Sequence, residues 1–233
     1  MRHAVFKPIC VFCRRKEANS EKRRKCKCKG KERSLIMKNI VVYVHGKGGS
    51  AEEAGHYKPL FPNSEVIGFD YNAQTPWEAK EEFTRFFTGQ RKYSDSLTLV
   101  ANSVGAFFSM SSLDETLIEK AYFISPVVDR EELIGNMMLW AGVSERELAE
   151  KLEIPTEFGE TLSWNYLCYV REHPVSWRVP TRILYGEHDN LTSPETVSDF
   201  AKNIGAQLTV MPNGEHWFHT EEQMQFLDEW ITR

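Results

Sequence analysis

The chain has 233 residues, 41% of them hydrophobic and 27% charged, enough to bury one sizeable core and too few to require two. No run reaches the roughly 18 consecutive apolar residues of a membrane-spanning helix, and no apolar run of signal-peptide length follows the N-terminal basic residues; a cytoplasmic protein without membrane association is expected. The net charge of −4 conceals two unlike parts, because residues 1–36 hold 13 Lys/Arg against 3 Asp/Glu and leave 16 basic and 30 acidic residues to the remainder.

The basic arm, residues 1–36, also holds four of the five cysteines, Cys10, Cys13, Cys26 and Cys28. Four thiolates match a tetrahedral structural zinc site, but the single residue between Cys26 and Cys28 is shorter than the usual spacing and the arm has few apolar residues to pack round a metal. The run Arg14 to Arg33 can hold phosphates electrostatically, yet it lacks the interleaved aromatics that stack on bases. A third reading is preferred: codons for Lys31-Glu32-Arg33-Ser34 can spell a purine-rich ribosome-binding site, which makes Met37 the start and the arm a disordered or non-native extension. The acidic body, 37–233, has only Cys168 and therefore no internal disulfide, as suits a reducing compartment.

From Asn39 onward, short apolar β-branched runs alternate with amphipathic stretches, the pattern of strands and crossover helices in a parallel sheet. Strands are expected at 39–44, 65–69, 97–101, 121–125, 181–186 and 207–211. Their near-continuous hydrophobicity implies burial on both faces. Helices are expected at 51–60, 76–88, 104–112, 194–204 and 220–231. The alternation breaks over about 127–180, where helical patches at Arg130 to Leu139 and Ser144 to Leu152 suggest a helical lid inserted above the sheet edge. The fold class expected is α/β, an open and mostly parallel sheet of about six strands flanked by helices.

Chemistry-bearing residues recur where these strands end. His45-Gly46-Lys47-Gly48-Gly49 follows the first strand, a glycine-rich turn that lets backbone approach a ligand but lacks the spacings of phosphate-binding loops. Ala101-Asn102-Ser103-Val104-Gly105 joins strand to helix, where a serine hydroxyl stands clear of the backbone beside the next amide. It departs from G-x-S-x-G only in having Ala101 for the first glycine. A serine needs a base, and His216 in Pro212-Asn213-Gly214-Glu215-His216 follows the last strand. His219 reads as a surface or capping residue and His45 as structural in its turn. Asp189, after the next-to-last strand, is the candidate acid to orient that histidine, with Asp129 as the alternative.

The order of glycine-rich turn, Ser, Asp and His, each at the carboxyl end of a successive strand, resembles the α/β-hydrolase superfamily. Segments Pro180 to Pro194 and Gly214 to Phe218 are similar to the acid and histidine loops of its small esterase and serine-aminopeptidase-like members. The resemblance covers the body and none of the arm. It implies a serine hydrolase working through an acyl-enzyme without metal or organic cofactor: Ser103 as nucleophile, His216 as base, Asp189 as acid, and the amides of Lys47 and Val104 as oxyanion hole. Met137, Met138, Leu139, Trp140, Trp164, Tyr166, Tyr169, Trp177, Trp217 and Phe218 either line an apolar substrate space, favouring small to medium carboxylic esters, or form the insertion's own core. Lys47 and Arg130 can meet an anionic group, although nothing in the spacing requires one. The alternatives are peptide or amide hydrolysis with the same triad, and a non-catalytic binding protein on this scaffold. A small-molecule ester or amide is the expected partner, with no nucleic acid for the body.

Overall fold

The computed structural model describes residues 38–233. All three readings of the N-terminal arm, the four-cysteine zinc site included, fall outside that range. Among the described residues no helix is long and apolar enough to cross a membrane.

The elements in chain order are β1 (Asn39–Val44), α1 (Ala54–Tyr57), β2 (Glu65–Phe69), α2 (Pro76–Arg91), β3 (Ser96–Asn102), α3 (Val104–Ser112), β4 (Lys120–Ile124), α4 (Arg130–Ala141), α5 (Glu145–Lys151), β5 (Glu153–Pro155), β6 (Thr161–Ser163), α6 (Trp164–Glu172), β7 (Thr181–His188), α7 (Pro194–Ile204), β8 (Gln207–Glu215) and α8 (Glu221–Thr232). Six strands form one sheet in the order β2-β1-β3-β4-β7-β8, and every pairing in it is parallel. The expected α/β architecture is therefore the observed one, with strand starts reproduced to within one residue.

Period-two alternation divides the core between the two faces of the sheet. Ile40, Val42, Val44, Leu97, Leu99, Phe123 and Ile183 join α2, α3 and α7 on one face. Val41, Tyr43, Val100, Tyr122, Ile124 and Leu184 meet α1 and α8 on the other. Both faces are covered, which is why these strands read as continuous apolar runs rather than alternating ones.

Two expectations need correction. Residues 51–60 are not one helix: the four-residue α1 is flanked by 3-10 turns at Ala51–Glu53 and Lys58–Leu60. Pro59 has no amide hydrogen with which to continue an α-helix. The stretch between β4 and β7 is not wholly helical either, because β5 and β6 form an antiparallel hairpin between α5 and α6. Its turn closes through Gly159 at φ 81°, with Thr156 N–H donating to the Glu160 carbonyl at 2.8 Å. Strands of three residues are too short to show a period in the sequence.

An aromatic cluster fixes the first strand-end turn. Phe83 of α2 is fully buried against Phe69, Tyr71, Phe87 and Phe108. Tyr71 in turn stacks on His45 with ring centroids 4.3 Å apart and donates its hydroxyl to the His45 carbonyl at 2.9 Å. Replacing Phe83 with alanine should destabilise the protein by about 3–5 kcal/mol, as read from the midpoint of urea denaturation, because a void opens among rings that can close it only in part.

Candidate active site

β3 ends at Asn102 and α3 begins at Val104, so the chain must reverse through one residue. That residue is Ser103, at φ 50° and ψ −122°, a conformation that side chains rarely adopt. Its amide donates to the Ile124 carbonyl at 3.0 Å and its carbonyl accepts from Val127 at 3.2 Å. Both ends of the strained unit are thus tied to β4 and the segment after it. Gly105 makes the turn possible, since a Cβ there would lie 2.4 Å from the His45 carbonyl oxygen and 3.0 Å from that of Val44. Ala101 is fully buried between β1 and β4.

Ser103 Oγ lies 2.8 Å from His216 Nε2, and His216 Nδ1 lies 2.7 Å from Asp189 Oδ2. The other carboxylate oxygen of Asp189 accepts the amides of Leu191 at 2.8 Å and Thr192 at 3.1 Å. No side-chain surface of Asp189 is exposed, against 16% for His216. A buried carboxylate satisfied on both oxygens can hold one imidazole tautomer, with hydrogen on Nδ1 and the lone pair of Nε2 facing the hydroxyl.

The structure brings together the three residues picked from the sequence. Asp129 lies elsewhere in role, accepting the Glu132 amide at 2.8 Å as the N-cap of α4. His219 is exposed, stacks on Trp217 and contacts the Trp217 carbonyl through Nδ1 at 2.8 Å. His45 is buried, with Nδ1 2.8 Å from the Gly46 carbonyl.

Convergence of Asp189 and His216 depends on a crossing that sequence reasoning did not single out. The β7–β8 register shifts between Gly186 and His188, so the end of β8 folds over β7. A Cβ on Gly186 would lie 2.4 Å from the Glu215 carbonyl oxygen, and one on Gly214 would lie 3.1 Å from Gly186 Cα. A glycine inside each of two neighbouring strand ends was the available signal.

Lys47 occupies a tight turn closed by the Gly49 amide on the Gly46 carbonyl at 3.2 Å, with Gly48 at φ 76° supplying the positive angle that the turn requires. The amides of Lys47 and Val104 have no hydrogen-bond acceptor among the described residues. Beneath the turn, Tyr43 hydrogen-bonds Glu53, whose other oxygen accepts the Ser50 amide at 3.1 Å. Burial pushes the Tyr43 phenol far above its ordinary range, which keeps it a donor. Glu53 had no sequence signal beyond its position in a helix cap.

Two cavities meet at Ser103. One, of about 470 Å³, runs beneath the insertion and is walled by Val127, Leu133, Met137, Trp140, Phe158 and Leu191, with Lys47, Arg130 and Glu160 as its charged residues. The other, of about 370 Å³, contains His216, Trp217, Asn102, Glu53 and the glycine-rich turn. Of the ten bulky residues considered from sequence, Met137 and Trp140 face the first cavity and Trp217 the second. Met138, Tyr166, Trp177 and Phe218 are buried, Trp164 and Tyr169 pack against the core, and Leu139 is exposed. Leu191, Phe158 and Glu160 were missed, the last two because they sit on the unforeseen hairpin.

No family model and no curated protein sequence matches the chain. Solved structures do. Est1E from Butyrivibrio proteoclasticus superposes with a TM-score of 0.66 at 16% identity, over 87% of this chain and 88% of that one. The α/β-hydrolase domain-containing protein 10 from mouse gives 0.63 at 14% identity, over 82% and 87%. The esterase domain of a Rhodothermus marinus protein gives 0.56 at 12% identity, over 83% and 84%. At such identities the likeness is one of fold, and the fold is that of the α/β-hydrolases.

Gly186→Ala should cost about 1–3 kcal/mol in urea denaturation, because backbone of the neighbouring strand must move to admit the methyl group. Gly89→Ala, inside α2 with nothing within 4 Å of the added carbon, should instead stabilise by about 0.5–1 kcal/mol.

Proposed function

We propose that this protein is a serine hydrolase that cleaves carboxylic esters with small to medium apolar acyl or alcohol groups through an acyl-enzyme. The observation carrying the proposal is the continuous hydrogen-bonded line from Ser103 Oγ through His216 to the buried Asp189. Esterases among proteins of the same fold support it.

In this reading His216 Nε2 takes the Ser103 proton as Oγ attacks the ester carbonyl. Negative charge develops on the carbonyl oxygen, where the amides of Lys47 and Val104 donate; each such donor is worth about 3 kcal/mol to the transition state. The C–O bond to the alcohol then breaks, and the proton on His216 passes to the departing oxygen. A water molecule attacks the resulting acyl-serine, giving its proton to His216, and collapse returns the free acid and the Ser103 hydroxyl. Ester and water enter; acid and alcohol leave. Asp189 stays ionised throughout and stabilises the imidazolium. The mostly apolar wall of the larger cavity suits the hydrocarbon part of a substrate.

Incubation with a fluorophosphonate probe should label Ser103, as mapped by mass spectrometry of the modified peptide, and His216→Ala should abolish the labelling. Absence of label on folded wild-type protein would overturn the proposal in favour of a binding protein on a hydrolase scaffold. Asp189→Asn should lower kcat for a short-chain ester about 10³–10⁴-fold, because the asparagine amide favours the wrong imidazole tautomer.

A further inference from the structure

The charged residues of the larger cavity are not equally satisfied. Lys47 Nζ is ion-paired with Glu160 across its mouth. Arg130, at the first turn of α4, has no carboxylate partner among the described residues, and its Nε is buried with no acceptor. Neighbouring carboxylates are engaged elsewhere. Asp129 caps α4, Glu131 pairs with Arg171 at 2.7 Å, and Glu132 accepts the Thr196 hydroxyl at 2.6 Å. The guanidinium instead sits against the ring of Tyr166, 5.1 Å from its centroid. The Tyr166 hydroxyl is likewise buried with no acceptor for its hydrogen; burial raises its pKa so that it keeps its proton, although the adjacent Arg130 guanidinium pulls the other way. A buried guanidinium edge and a phenol with no acceptor are costly unless a ligand supplies one.

The two cavities also divide the substrate. A departing alcohol takes its proton from His216, which lines only the smaller cavity. The acyl group stays on Ser103 and must extend the other way, along the apolar wall that contains Arg130. We propose that Arg130 selects esters whose acyl chain ends in a carboxylate, so that the preferred substrates are monoesters of dicarboxylic acids. The inference rests on the serine-hydrolase reading of the same site. The methylene chain packs against Leu133, Met137 and Val127, and the terminal carboxylate accepts from the guanidinium, which suits its planar geometry. Hydrolysis of such a monoester consumes water and releases the dicarboxylate, the alcohol and a proton.

The test compares monobenzyl esters of dicarboxylic acids, from glutarate to suberate, with matched benzyl esters in which an isopropyl group replaces the carboxylate, following release of benzyl alcohol. For the best chain length, wild-type kcat/KM should favour the carboxylate-bearing ester by about tenfold or more. Arg130→Gln should lower that ratio by about ten- to a hundredfold, the range expected for a charge-assisted hydrogen bond. Arg130→Lys should restore part of it. Equal wild-type rates for the two ester series, or a ratio that Arg130→Gln leaves unchanged, would overturn the proposal and leave Arg130 as packing for Tyr166. Turnover of neither series together with no probe labelling at Ser103 would instead remove the hydrolase reading. Calorimetric titration with free adipate then decides the anion site by itself: binding weakened in Arg130→Gln supports it, and no binding to the wild type overturns it.

Discussion

The backbone of Ser103 is the constraint on which the site depends. A non-glycine residue held at φ 50° and ψ −122° costs on the order of 1–3 kcal/mol and persists only where its surroundings leave no alternative. Here they do so from three sides. β4 and the segment after it bind both ends of the residue, Gly105 lets α3 press on the carbonyls of β1, and Gly46 lies so near that a Cβ on it would be 3.1 Å from Ser103 Cβ. The same reversal makes Val104 the first residue of α3, so its amide has no partner in the preceding turn. One strained residue therefore sets free the hydroxyl and a donor beside it, and lies close enough to the glycine-rich turn for Lys47 to line the same cavity.

At the other end of the hydrogen-bonded line the problem is convergence. Asp189 and His216 leave adjacent parallel strands, β7 and β8, whose side chains would otherwise run side by side without meeting. The shifted register and the Gly186–Gly214 crossing turn the end of β8 over β7, and the amides of Leu191 and Thr192 hold the carboxylate in the orientation that faces the imidazole. Tyr185 secures that loop from beneath through its hydroxyl on the Thr192 carbonyl at 2.7 Å, and the Thr192 hydroxyl reaches the Pro126 carbonyl at 3.3 Å. The acid loop is thereby tied to the segment that also binds Ser103.

Much of this was legible in the sequence, for identifiable reasons. Parallel strands buried on both faces announce themselves as apolar runs, and β1, β2 and α3 have the boundaries expected. Chemistry in such sheets gathers at the carboxyl strand ends, so a serine, an aspartate and a histidine each just beyond a strand could be grouped without knowing their distances. What stayed hidden depends on contacts distant in sequence. Gly186 and Gly214 become a signal only as a pair, once β7 and β8 are known to be neighbours, and nothing local distinguishes the three-residue β5 and β6 from coil. The expected helical insertion was thus partly wrong, and with its hairpin went Phe158 and Glu160, two residues that shape the larger cavity. The bulky residues of the insertion served both of the purposes considered: Met137 and Trp140 face the cavity, whereas Trp177 is buried against Phe123 and donates to Thr181 at 2.8 Å.

The hairpin also settles how charge is distributed over the cavity. Glu160, the last residue of the hairpin turn, pairs with Lys47, whose side chain remains more than half exposed, so the pair adds little to stability, on the order of 0–1 kcal/mol. Its effect is electrostatic instead. Lys47 would otherwise place a second cation at the cavity mouth, and Glu160 neutralises it there. Arg130, set against the Tyr166 ring, is left without a carboxylate partner among the residues lining the cavity. A positive group in low-dielectric surroundings interacts more strongly with an anion than the same group in water. The hairpin thus bears on both proposals: its Phe158 helps to wall the cavity beside Ser103, and its Glu160 engages Lys47 and not Arg130.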